Sequence, residues 1–141
     1  MKRRRRTEIL VRGSEKLAES LFEEIEKKYE IKMIEKPNTG LVMVKMRESA
    51  KNSLFYLGEV LVTEVKVQIN KKFGLGIVKG YRPDLAYWLA VIDAAYNSNL
   101  EETNAWEKML VEEEKRIKKA ESLKEAQILK TKVNFETMKE G

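Results

Sequence analysis

The segment GLGIVKGYRPDLAYWLAVIDAAY, residues 74–96, decides the fold. Its second half opens with Pro83, and proline suits the first position of a helix because the N–H it lacks would be unsatisfied there anyway. The expected helix runs over 83–96. Leu85, Trp88, Leu89, Ile92 and Ala95 form one stripe, yet Tyr87, Val91 and Ala94 cover the opposite side. Asp93 is the only charge between Leu85 and Tyr96. A helix apolar nearly all round is covered on both faces, here by a sheet and by something else. The residues before it alternate as a strand, with Phe73, Leu75 and Ile77 expected inward and Gly74, Gly76 and Val78 on the other face.

Glycines ahead of a helix raise the question of a phosphate cradle. A dinucleotide fingerprint places its glycines in the turn that opens the helix. Here Ile77, Val78 and Lys79 separate Gly76 from Gly80 and read as strand. A Walker loop needs Gly-Lys followed by Ser or Thr, whereas Lys79-Gly80-Tyr81 runs in the reverse order. The glycines are better explained by the backbone: Gly74 ends a turn, Gly76 permits close packing, and Gly80 bends the strand towards the helix. A weaker role remains for the helix start, where Lys79, Gly80 and Arg82 could meet an anionic ligand.

Working outward, FYLGEVLVTEVKVQI (residues 55–69) is the clearest strand. Leu61, Val65, Val67 and Ile69 share a buried face, Glu64, Lys66 and Gln68 a wet one, and Gly58 marks a bulge or bend. Upstream, IKMIEK and LVMVKMR read as two strands joined by a turn at Pro37-Asn38-Thr39-Gly40, followed by a loop at Ser49 to Ser53. That makes about four strands, mostly antiparallel. Before them, Ile9, Leu10 and Val11 form a short apolar patch. Ser14 then caps a helix carrying Leu17, Leu21, Ile25 and Tyr29 that ends near Glu30. After residue 101 the chain is a long helix or helix pair with sparse apolar positions, closing in an extended or loosely helical tail at 131–138. The expectation is one α+β domain over 1–141: N-terminal helices (1–30), sheet (31–80), buried helix (83–96), and a C-terminal helical arm (101–138) over one sheet face.

Composition narrows the chemistry. The chain has 141 residues, no cysteine and no histidine, which removes thiolate metal sites, disulfides and the commonest general base. No apolar run is long enough for a bilayer, MKRRRR leading into TEILVRGSE does not read as a secretion signal, and a cytoplasmic address is the simplest expectation. The net charge of +5 is local: Lys2 to Arg6 hold five of 28 basic residues, leaving 23 against 23 acidic ones. A basic cluster on a neutral body supports, as an alternative reading, a small nucleic-acid-binding adaptor using Lys2 to Arg6. Asp93 on its apolar helix could be an acid or base with a raised pKa. The plainer expectation is that it caps, pairs with a nearby lysine, or lies at an exposed edge. Asp93 and Glu59 are the carboxylates a self-sufficient enzyme would use. Asp84 fits the first-turn preference for acidic residues. Trp106 is expected on the surface, where aromatic side chains bind partners.

The ordered set TGLVMVKM (39–46), FYLGEVLVTEVKVQI (55–69), GLGIVKGYRPDLAYWLAVIDA (74–94) and KVNFETM (132–138) resembles the PhnG family, a subunit of the bacterial carbon–phosphorus lyase system. The likeness is strongest at Thr39 to Val42, Leu57-Gly58-Glu59, Thr63, Gly76, Val78 to Gly80 and Ile92-Asp93-Ala94. It implies work with PhnH, PhnI and PhnJ-type subunits, in a complex where an alkylphosphonate displaces adenine from ATP to give ribose 1-alkylphosphonate 5-triphosphate. In that family the displacement is assigned chiefly to PhnI. The later C–P cleavage belongs to PhnJ, with S-adenosylmethionine and an iron–sulfur cluster. The resemblance assigns this chain no catalytic residue, metal or cofactor of its own, only the role of a required accessory subunit. One departure stands out: Leu85-Ala86-Tyr87 replaces a His-Ala-Glu of the family, and the arginine cluster is not a family expectation.

Overall fold

A computed structural model describes residues 1–48 and 53–140, with side chains for 1–43 and 58–128. The predicted loop at 49–53 falls outside the described residues except for Ser53. The order of elements is α1 (Arg3–Arg12), α2 (Glu15–Glu26), β1 (Lys32–Glu48), β2 (Ser53–Ile69), β3 (Lys72–Lys79), α3 (Pro83–Asn97) and α4 (Glu102–Glu140). The three strands form one antiparallel sheet in the order β1-β2-β3. The class is α+β as expected, but the strand count is three.

The missing strand is explained by Pro37. The expected turn at 37–40 lies inside one 17-residue strand whose register shifts just before Asn38, where Glu35 pairs with Lys66 and Asn38 with Glu64. Pro37 falls in the gap between them. β1 is an edge strand, so a residue without an N–H is tolerated where no ladder bond is lost. The bulge expected at Gly58 is present. Val44 pairs with Gly58 and Lys45 with Tyr56, leaving Leu57 over, and Gly58 has φ of 144°.

One face of the sheet is covered by α3, and α2 covers the other side of α3. This satisfies the requirement for cover on both faces of that helix from within the chain. The inward row of β2 is Thr63, Val65, Val67 and Ile69, all buried. Leu61 shares their face but is exposed, because α3 begins at Pro83, level with Thr63, and the strand runs on beyond it.

The strand β3 is turned over relative to expectation. Gly74, Gly76 and Val78 face inward, while Phe73 and Ile77 are exposed and Leu75 is half-buried. The cause is the closeness of α3. A Cβ on Gly76 would lie 2.0 Å from the Ala86 carbonyl oxygen, and one on Gly74 2.1 Å from that of Ala90. Glycines two apart on a strand span about 6.8 Å and alanines four apart on a helix about 6 Å, so the two rows mesh. Bulky side chains on that face would hold the helix off the sheet.

At the N-terminus, Ser14 caps α2 by accepting from the Lys16 N–H at 3.3 Å. Ala18, Leu21, Phe22 and Ile25 supply the buried stripe of that helix, which ends at Glu26 rather than near Glu30. The C-terminal arm is one helix of 39 residues, about 58 Å long at the standard rise. Among the described residues it packs along α1 and touches α2, rather than against the sheet as expected. Trp106 and Leu110 are buried in its first half, whereas Leu123 and Ile128 are exposed. The tail at 131–138, expected to be extended or loosely helical, continues the helix.

Gly76→Ala should therefore cost about 2–3 kcal/mol by overpacking against backbone. Gly40→Ala, where an added Cβ meets nothing within 4 Å, should change stability by less than about 0.5 kcal/mol. Urea unfolding of the two variants checks the contrast.

Candidate functional site

The sequence-nominated residues Lys79, Gly80, Arg82, Asp93 and Trp106 do not converge on one site. Gly80, at φ of 83°, makes the bend into α3. Its N–H donates to the Leu61 carbonyl at 2.7 Å, and its own carbonyl accepts from the Thr63 hydroxyl at 2.5 Å. The same hydroxyl accepts from the Arg82 N–H at 3.0 Å, so buried Thr63 holds the bend from the sheet. The Arg82 guanidinium pairs with Glu15. The concavity at the start of α3 is lined by Glu15, Tyr81, Arg82, Asp84, Leu85 and Trp88, one arginine against two carboxylates. Lys79 is exposed at the end of β3.

Trp106 is wholly buried, not a surface aromatic. Its indole N–H donates to Glu24 at 2.5 Å, and its ring meets Tyr96 edge-on at 5.7 Å. An amphipathic side chain of this size buries readily once its single polar atom has a partner. The departure from the family pattern at 85–87 is absorbed in the same way. Leu85 is buried, and Tyr87 packs edge-on against Phe22 at 5.2 Å.

Asp93 is the centre of the charged structure. Only 5% exposed, its Oδ1 accepts from Arg6 at 2.9 Å and forms an ion pair with Arg3, whose Nε lies 3.1 Å away. Its Oδ2 accepts from the Leu75 N–H at 2.9 Å. The partners are arginines of α1, not a nearby lysine, and the carboxylate is buried, not at an exposed edge. Arg6 is itself buried and lies 3.9 Å from the centroid of the Tyr96 ring. Burial pulls its guanidinium below the usual arginine range, against the opposing attraction of Asp93. Burial likewise raises the Tyr96 hydroxyl, which has no hydrogen-bond partner among the described residues. One turn on, Asn97 donates to the Phe73 carbonyl at 2.7 Å. Asp93 and Asn97 thus cap part of the free edge of β3 from the helix above it.

The arginine cluster is a helix, and its side chains meet acidic partners within the chain. Arg5 makes two bonds to Glu114, at 2.9 and 2.6 Å. Arg4 lies 3.8 Å from Glu8. No observation favours a nucleic-acid role for residues whose charge is used this way. The Arg5 hydrogen bonds hold the Glu114 carboxyl below the usual range. Glu102 is lowered first by its own backbone N–H, then by Tyr29 and Lys28. These pairs were missed because a run of arginines reads as a basic cluster for an outside partner. The available signal was spacing: Arg3, Arg6 and Leu10 recur at helical intervals, and Asp93 needed a cationic partner.

Arginines drawn inward onto carboxylates, with apolar side chains left outward on an open sheet, define a small α+β domain whose charges serve its own assembly. Among the described residues no group of three or more His, Cys, Asp or Glu could hold a metal ion. No helix among them is long and apolar enough to cross a membrane. The family model described as "Phosphonate metabolism protein PhnG" matches residues 1–141, the whole chain. The chain belongs to the PhnG family, and its role lies in phosphonate metabolism. A comparison with curated proteins found no match.

Asp93→Asn should destabilise the fold by about 3–5 kcal/mol, because it strands a buried guanidinium. Equilibrium unfolding checks this, and deleting residues 2–6 should be at least as damaging. The acid response follows from Glu114. A carboxyl held below its ordinary 4.5 stabilises the fold above that pH, and the contribution is lost as pH falls through the lowered folded value. The gap in thermal midpoint between wild type and Glu114→Gln should be present at neutral pH and close as the pH is taken below 4.5.

Proposed function

We propose that this chain is an accessory subunit of the phosphonate-degrading carbon–phosphorus lyase core complex. In that role it supports displacement of adenine from ATP by an alkylphosphonate, giving ribose 1-alkylphosphonate 5-triphosphate. It assembles with PhnH, PhnI and PhnJ-type subunits. The ATP chemistry, and the S-adenosylmethionine and iron–sulfur chemistry that follows, belong to those partners. Lys79, Gly80, Arg82 and the rest of the β3–α3 bend serve as contact surface.

Family membership supports the metabolic setting, and one observation carries the subunit role. Beyond the start of α3 the paired strands β1 and β2 continue as a two-stranded ribbon without helical cover. Leu41 is 64% exposed there, Met43 57%, Val42 48% and Leu61 42%. Leu41 pairs with Leu61 and Val42 with Val60, so apolar side chains occupy both faces of the ribbon. A two-stranded ribbon is marginal in water alone, and clustered apolar exposure of this kind marks an interface.

Co-expression with the PhnH, PhnI and PhnJ-type subunits and capture through a tag on this chain tests the reading. Wild type should bring all three, and Leu41→Lys with Met43→Lys should lower recovery about tenfold or more. The thermal midpoint of the isolated chain should barely move, since both positions are exposed. Failure of wild type to retain any of the three would overturn the proposal.

A further inference from the structure

Leu41, Val42 and Met43 are consecutive in β1, and all three are exposed. Successive side chains of a strand point to opposite faces, so a ribbon with one wet face alternates apolar with polar. This one does not. Leu41 pairs with Leu61, and both lie on the α3 side of the sheet with Met43. Val42 pairs with Val60 and Gly40 with Val62, and these four lie on the side away from α3.

Nothing among the described residues requires position 40 to be glycine. Its backbone is not in the left-handed region, and its pairing with Val62 is in register with the pairs on either side. A Cβ added there would meet nothing within 4 Å. Glycine weakens a strand and offers no side chain to pack, and its remaining physical use is to let another backbone come close. Gly74 and Gly76 serve that use inside the chain, where the backbone of α3 comes down on them. At Gly40 no described part of the chain does so.

We infer that the β1–β2 ribbon is gripped on both faces by an apolar cleft in a partner subunit, whose backbone is seated directly on Gly40. This rests on the subunit reading above and adds the second face to it. The large side chains Leu41, Met43 and Leu61 fill one wall of the cleft, and the flat face of Gly40, Val42 and Val60 lies against the other. Either face alone carries only a few apolar side chains, against roughly 20–30 residues a side in a stable interface. One partner enclosing both faces makes up more of that difference than a flat contact on one. A second copy of this chain fits poorly. Copies meeting like face to like face would cover one side and leave the other bare, and copies meeting face to opposite face would run on as a filament or ring.

The test places Gly40→Ala, Gly40→Val and Val42→Lys in the full-length chain, co-expressed with the PhnH, PhnI and PhnJ-type subunits and captured through a tag on this chain. In isolation Gly40→Val should melt within about 2 °C of wild type or slightly above it, since valine suits an exposed strand and meets nothing there. In the complex the same side chain collides with the partner. Recovery of partner should fall about threefold for Gly40→Ala and about tenfold or more for Gly40→Val. Val42→Lys, on the same face, should lose as much as Gly40→Val. Full recovery with Gly40→Val and Val42→Lys, while Leu41→Lys with Met43→Lys loses it, overturns the enclosure and leaves the subunit reading standing. An isolated chain that is a dimer by light scattering, and a monomer as Gly40→Val, overturns it by making a second copy the occupant. Failure of wild type to retain any of the three subunits removes both readings together.

Discussion

A carboxylate in the middle of an apolar helix has to be neutralised where it lies, and the rest of this molecule is arranged around doing so for Asp93. Its two oxygens receive an arginine pair from α1 and a backbone N–H from β3, so three elements distant in sequence meet at one side chain. Burying that carboxylate alone would cost several kcal/mol, and burying Arg6 alone would cost as much. Each makes the other tolerable. The Tyr96 face beneath the guanidinium adds a further attraction. An apolar substitute could be as stable, but it would neither reach the Leu75 N–H nor dock α1 in one orientation.

The second constraint is the closeness of α3 to the sheet. The meshing of Gly74 and Gly76 with Ala86, Ala90 and Ala94 brings the helix near enough for Asp93 and Asn97 to reach the β3 edge. With larger residues in that row the two side chains would fall short of the backbone they cap. Close packing and edge protection are therefore one arrangement, and it determines which part of the edge is closed. Asp93 and Asn97 lie towards the end of α3 and serve the start of β3, because helix and strand run in opposite directions. The end of β3 faces the opening of α3, where the side chains on offer, such as Pro83 and Leu85, have nothing to give a free N–H.

Most of the architecture was legible in the sequence because burial imposes periodicity. The alternation in β2 from Thr63 to Ile69, the Ser14 cap, Pro83 at the start of α3 and its all-round apolar surface each state a local physical need. What was not legible depends on tertiary proximity. Pro37 with Asn-Thr-Gly reads as a turn, and only the edge position of β1 lets the strand run through it. The facing of β3 reads backwards because side-chain size normally marks the buried face, whereas here the absence of side chains does. Glycine at 74 and 76 and alanine at 86, 90 and 94 held that information, but only as a pair of rows. Trp106 looked like a surface aromatic because its partners, Glu24 and Tyr96, come from other elements. The arginine run looked like a basic cluster for an outside partner for the same reason.

Charge and apolar surface are distributed here in a way that inverts the usual expectation for a small basic protein. The net charge of +5 suggests an outward electrostatic surface, yet four of the clustered residues, Arg3 to Arg6, meet carboxylates of the same chain. The outward surface is instead the apolar ribbon of β1 and β2 and the Phe73–Ile77 row of β3. Such a division suits a subunit better than a freestanding binder of phosphate backbones. Internal ion pairs set the geometry of the body and resist screening where they are buried. The exposed apolar side chains have no way to be covered within the described chain. They gain only from another polypeptide, so contact with one stabilises the ribbon that water serves poorly.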